Sequence, residues 1–166
     1  GNMLPDYSGT YTTAQANAVA QLLSHIGIAC EMTYGLAAAG GSAVNGNIAL
    51  QALITHFDYD AGINMLPKDY MPEKELLEEV SEDLQAGHPI FITGFTPQRE
   101  GHAFVADGMQ ANGYLHINWG WDGYYNGYFA ISAMNPYGQG TGGAASGLGY
   151  SQRVCVFTGI QPNQGG

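Results

Sequence analysis

The residues best placed to do chemistry in this chain are His102, Asn118 and Trp119. His102 opens a nine-residue run, Gly-His-Ala-Phe-Val-Ala-Asp-Gly-Met, that reads as a strand. Ala111-Asn112-Gly113 follows, and Asn-Gly between apolar runs is a strong hairpin signal. Tyr114 to Trp119 is then the returning strand. Residues near the open end of a hairpin face one another, so His102 and Asn118 are expected within side-chain reach. An imidazole held by an amide is the base half of a Cys-His-Asn arrangement for nucleophilic catalysis. On this reading the Asn118 amide oxygen accepts from one ring nitrogen and fixes the tautomer. Trp119 shields that bond from water, and Trp121 lines the wall of the site.

Each of these residues also has a plainer reading. A histidine in a strand is often a satisfied structural residue, an asparagine beside glycines often caps a turn, and tryptophans often fill a core. Asp107 is offset from His102 by an odd number, so an extended strand points it to the opposite face, and it reads as structural. His116 shares the parity of Asn118 but sits deeper in its strand, and it also reads as structural. His25, His56 and His88 lie near helix ends. A reactive thiol wants a helix N-terminus and a basic neighbour. Cys30 sits in a strand-like run after Gly27, and Cys155 in an apolar closing strand, so both read as small buried hydrophobes.

The elements that must position these residues are legible in turn. Thr12 with Gln15 forms a capping box, and a helix should run to about Ile26, burying Val19, Leu22, Leu23 and Ile26 before Gly27 ends it. Ile28 to Tyr34 reads as a short strand and Leu36 to Asn47 as a loop of Ala, Gly and Ser. A helix over Ile48 to Phe57 presents Leu50, Leu53, Ile54 and Phe57 on one face. After a loop or short strand, Pro72 opens a helix over Glu73 to Ala86 that buries Leu76, Leu77, Val80 and Leu84, and Gly87 caps it. Strands then follow at Ile90 to Thr93, in the hairpin, at Gly127 to Ser132, and at Arg153 to Ile160. Helices first and antiparallel strands afterwards make an α+β fold, and no linker divides the 166 residues.

Composition narrows the function. The formal charge is −10, with Lys68, Lys74, Arg99 and Arg153 the only basic residues besides histidine. Nucleic acid is excluded as a partner, because phosphates demand a basic patch. Membrane insertion is excluded by the lack of an apolar run near the roughly 20 residues a span requires. The acids from Asp69 to Asp83 read as a solvated helix face, with a docking face as the alternative. No metal spacing such as Cys-x-x-Cys exists, and a Cys-His mechanism would need neither metal nor cofactor. The many glycines and tyrosines suit a loop-rich extracellular protein.

Several stretches taken together resemble the streptopain-like cysteine peptidases, a bacterial branch of the papain-like enzymes. They are GHAFVADG and HINWGWDGYYNGYFAISAMNP, with NMLPDYSG at the start, GIACEMTYG at residues 27 to 35, GTGGAASGLGY at residues 140 to 150, and VFTGIQP near the end. The resemblance covers nearly the whole chain in order. It implies a partial peptidase domain over residues 1 to 166, the His-bearing, barrel-like right-hand half of a papain-like fold with packed helices. It implies hydrolysis of peptide bonds in secreted or cell-surface protein chemistry, with His102, Asn118 and Trp119 as catalytic residues. The loops around Gly41 and Ser42 and around Gly142 and Gly143, with Gly101 and Trp121, are then expected to contact substrate. The family's nucleophilic cysteine falls upstream of Gly1, so the chain alone is expected to be inactive. A Cys-bearing N-terminal chain or segment, or self-association, should cover its open face. The rival reading is an inactive peptide-binding or adhesion module derived from the same fold. A third, carbohydrate binding through Trp119, Trp121, Tyr124 and Tyr125, leaves the Gly-His-Ala-Phe-Val motif unexplained.

Overall fold

The computed structural model describes residues 3–4, 6–36, 41–137 and 149–165. The chain divides into two compact units, Gly1–Asp58 and Tyr59–Gly166. The first is helical. Helix α1, Thr13–Ala29, starts at the expected capping box: the Gln15 backbone N–H donates to Thr12 Oγ1, and the Thr12 N–H donates to Gln15 Oε1 at 2.8 Å. Helix α2, Gly46–Phe57, begins at Asn45, whose side chain accepts from the Asn47 N–H, and ends at Asp58 in the left-handed region. It buries Leu50 and Ala52.

Two expectations for this unit are corrected. Gly27 does not end α1, which continues to Ala29 with Cys30 at its C-cap. Gly27 is buried because Tyr34 lies directly against it: a Cβ there would fall 1.8 Å from the phenolic oxygen. The glycine marks a close approach rather than a helix end. Ile28 to Tyr34 is not a strand either. Ile28 rides on the exposed side of the prolonged helix, Glu31 turns the chain at φ 53, and one isolated bridge pairs Thr33 with Ala43. Helix continuation outweighs the β preference of a lone β-branched residue. The buried stripe also differs, since Leu23 is exposed while Val19, Leu22 and Ile26 are half-buried.

The second unit is an antiparallel sheet with one helix. Its strands are β1 (Asn64–Pro67), β2 (Ile90–Phe95), β3 (Gly101–Met109), β4 (Leu115–Asn118), β5 (Gly127–Phe129) and β6 (Gln152–Thr158). They lie in the order β1-β6-β2-β3-β4-β5, every neighbouring pair antiparallel. Helix α3, Glu73–Gln85, packs on β2, β3 and β6. Side chains of a strand alternate between faces. Ile90 and Ile92, Phe104 and Ala106, Leu115 and Ile117, and Val154 and Val156 therefore share one face and bury it beneath Leu76 and Val80 of α3. Trp119, Phe129, Ile131 and Met134 complete this core.

The acidic face of α3 is not wholly solvated. Asp83 accepts a hydrogen bond from the Gly159 N–H just after β6 and lies 3.4 Å from His88 Nδ1. Its carboxylate ties the end of α3 to the end of β6, while Lys74 and Glu78 form an exposed ion pair of little energetic weight. No helix among the described residues is long and apolar enough to cross a membrane.

Candidate active site

The β3–β4 hairpin turns where expected. Gly113 adopts φ 84 and its N–H donates to Gln110 O, while the Tyr114 N–H donates to Asn112 Oδ1. The turn, however, sets a register that differs from the one first inferred. Asn118 lies opposite Val105, and Ile117 opposite Ala106; the bulge that follows places His116 opposite Gly108, leaving Asp107 unpaired. Continuing outward from Val105, Phe104 is level with Trp119 and His102 with Trp121. The rings follow this register, with centroids 4.6 Å apart for Phe104–Trp119 and 4.8 Å for His102–Trp121.

His102 and Asn118 are thus not opposite one another. The Asn118 side chain instead accepts from the Gly120 N–H at 2.9 Å, forming a local turn. What holds the imidazole is the backbone: His102 Nε2 lies 2.8 Å from the Trp119 carbonyl oxygen. A carbonyl can only accept, so Nε2 carries the proton and Nδ1 keeps its lone pair. Nδ1 has no hydrogen-bond partner among the described residues. The tautomer expected from an amide side chain is set by a main-chain carbonyl.

The local chain explains why that carbonyl is available. Trp119 is wholly buried, so it is core rather than a cover for a His–Asn bond. Its backbone N–H donates to Asn126 Oδ1 and its indole Nε1–H to Tyr125 O. Both bonds fold residues 120–126 back over the tryptophan through a turn with positive φ at Gly120, Asp122, Gly123 and Tyr125. With both N–H groups directed to that turn, the Trp119 C=O remains to receive His102.

Trp121 is half-buried and stacks on the imidazole at an interplanar angle of 26°. The segment leading into β6 brings a residue that the sequence reading did not single out, Tyr150. His102 pairs with Gly94 of β2. A Cβ on Gly94 would fall 2.7 Å from the Tyr150 carbonyl oxygen, and one on Gly149 would fall 2.9 Å from Met134 O. Bare backbone at both glycines lets Tyr150 dock, its N–H donating to Met134 O and its ring 5.2 Å from the imidazole. The sequence signal for it was the glycine facing His102, a mark of close backbone approach in a strand.

Burial pushes the His102 pKa below its ordinary 6.5, and the bond to Trp119 O opposes that shift. The folded chain therefore holds this proton less tightly than the unfolded one. Above pH 6.5 both states are neutral and His102 adds no pH slope; as pH falls below 6.5 the unfolded state binds the proton first and folding is weakened. Titration of the His102 ring protons by NMR is expected to give a midpoint below 6.5, and a midpoint at or above it would contradict the packing described.

Gly101 pairs with Phe95 at the exposed start of β3, where a Cβ would meet the Phe95 ring at 2.9 Å. Gly41 and Ser42 belong to the first unit; Gly41 has φ 78, and Ser42 Oγ accepts from the Gly35 N–H. Gly142 and Gly143 lie outside the described residues. Asp107 and His116 bond each other on the far side of the hairpin, Oδ1 to Nδ1 at 2.5 Å. Burial raises the thiol pKa of Cys30 and of Cys155, the latter also through Asp69, so both favour the inert thiol. Cys155 lies on β6 opposite Thr93 and Pro67. Among the described residues no cluster of three His, Cys, Asp or Glu could hold a metal.

A half-buried imidazole with a fixed tautomer, whose Nδ1 has no partner among the described residues, is equipped for proton transfer. A profile of the Peptidase C10 family matches residues 1–129. The chain belongs to that family. It is 33% identical over 161 residues to streptopain of Streptococcus pyogenes, covering 97% of this chain and 39% of streptopain. It is 34% identical over 112 residues to the thiol protease/hemagglutinin PrtT of Porphyromonas gingivalis, covering 68% of this chain and 13% of that protein. Among solved structures, the active cysteine protease interpain A of Prevotella intermedia superposes with a TM-score of 0.80 at 32% identity, over 96% of this chain and 63% of the other. The α+β fold with its antiparallel sheet is the same. The chain spans only about two fifths of the length of streptopain.

Proposed function

We propose that this chain is the histidine-bearing part of a bacterial cysteine endopeptidase that acts on protein or peptide substrates outside the cell. The carrying observation is the His102 ring, with Nε2–H donated to Trp119 O and Nδ1 unengaged among the described residues. In the reaction Nδ1 takes the proton of a cysteine thiol, and the thiolate attacks the scissile carbonyl carbon. The tetrahedral intermediate collapses as the imidazolium returns the proton to the leaving amine, leaving a thioester. Nδ1 then takes a proton from water, which hydrolyses the thioester and restores the thiol. Because its holder is a neutral carbonyl, the imidazolium formed in each half gains less stabilisation than a carboxylate would supply. No metal or cofactor enters this sequence.

The attacking thiol is assigned to a cysteine other than Cys30 and Cys155, supplied by a segment beyond these 166 residues. Membership of a cysteine-peptidase family supports that assignment, as do the raised thiol pKa values of both cysteines. Exposed Leu23, Ile28, Leu36 and Ile48 give such a segment apolar surface to cover in the first unit. The test is to treat the full-length protein with a thiol-alkylating epoxide and locate the adduct by peptide mass spectrometry. The adduct is expected on a third cysteine. An adduct on Cys30 or Cys155 overturns the assignment, and no adduct at all leaves the inactive peptide-binding module as the function.

A further inference from the structure

The aromatic rings around His102 continue past Trp121 to the surface. Trp121 meets Tyr125 edge-on at 6.3 Å, and Tyr125 meets Tyr137 at 5.2 Å. Tyr125 and Tyr137 are 46% and 67% exposed, far more than packing against the core requires. Two carboxylates belong to the segments flanking Trp121 and His102. Asp122, exposed, sits between Trp121 and Tyr125 in the chain and is held in the left-handed region at φ 55. Glu100, also exposed, immediately precedes β3; burial first, then Tyr137 and Glu100, raise the Tyr150 pKa. Among the described residues neither carboxylate has an ion-pair partner, and Arg99 of the same loop engages neither.

We propose that Trp121, Tyr125 and Tyr137, with Asp122 and Glu100, form a subsite for a positively charged side chain, arginine or lysine, of the peptide substrate close to the scissile bond. This rests on the reading of His102 as a peptidase base and adds the substrate chemistry. The face of an aromatic ring carries negative charge density and attracts a cation within about 6 Å. A guanidinium can also stack flat on such rings while donating to a carboxylate. The chain's charge of −10 raises the local concentration of cationic peptides. A proline-rich or aromatic ligand would use the rings but would leave the two carboxylates without a role.

The test uses the full chain and two peptides identical except for arginine in one and citrulline, its neutral isostere, in the other. Binding is followed through the tyrosine ring resonances. The arginine peptide is expected to bind roughly five times more tightly, with the preference shrinking as salt is raised. It should shrink again in Asp122→Asn and in Tyr137→Leu, both at exposed positions that the fold tolerates. Equal affinity for the two peptides, tighter binding of a proline-rich peptide, or binding of none overturns the proposal. In the full-length protein the same preference should appear in kcat/KM. Arginine-selective binding with no loss of turnover in His102→Ala would leave the subsite standing and remove the peptidase reading of His102, so the two failures are separable.

Discussion

Replacing His102 with alanine is expected to lower kcat/KM for peptide hydrolysis by the full-length protein by about 10²–10⁴-fold, the range for loss of a positioned general acid/base. The substitution removes Nδ1, which is the proton acceptor, together with the ring's contacts to Phe104, Trp121 and Tyr150 and its bond to Trp119 O. The thermal midpoint should fall modestly while the variant still folds cooperatively, and that measurement separates lost chemistry from lost structure. Asn118→Ala is the informative companion. Its side-chain oxygen serves the Gly120 N–H and not the imidazole, so its effect on kcat/KM should be far smaller than that of His102→Ala. If the two variants were equally impaired, the main-chain holder of the ring described here would be wrong.

Trp119→Ala is expected to be the most destabilising single change at the site, costing about 3–5 kcal/mol in denaturant unfolding. The indole is wholly buried and packs against Phe104, Phe129 and Tyr150. Its Nε1–H also anchors the turn at Tyr125 O, so truncation leaves a cavity and frees residues 120–126. The smaller change Trp119→Phe keeps the backbone carbonyl that holds His102 while losing the indole bond. It should lose less stability and retain measurable turnover, whereas Trp119→Ala should impair both. A Trp119→Ala protein as stable as the parent would contradict the packing.

The two variants probe different links in the same chain of cause. His102 contributes chemistry through one ring nitrogen. Trp119 contributes position, through a carbonyl that is oriented only because the indole is buried and its N–H groups are bound elsewhere. Tyr150 depends on this frame too, since it reaches the imidazole only because Gly94 and Gly149 leave backbone exposed for its approach.

Much of this was present in the sequence. The capping box at Thr12, the apolar spacing of α3, the Asn-Gly turn and the alternation of β2, β3, β4 and β6 are local signals, and local hydrogen bonding and face burial realise them directly. The Asn-Gly turn by itself would place Asn118 level with Ala106 and leave His102 beyond the end of β4; the bulge at Asp107, which no local signal marks, shifts Asn118 to Val105. Other features were decided by tertiary structure alone. Gly27 reads locally as a helix end, yet the helix runs on to Ala29 and the glycine serves the close approach of Tyr34. The hydrogen bond that fixes the His102 tautomer comes from a main-chain carbonyl, which every residue possesses, so no residue type announces it. Tyr150 joins the site through β2 and β6, from across the sheet. Side-chain identity and spacing determine which elements form and which groups could react. The partner each group finds is set by where the backbone brings carbonyls and bare glycines, and that emerges only when distant strands pack together.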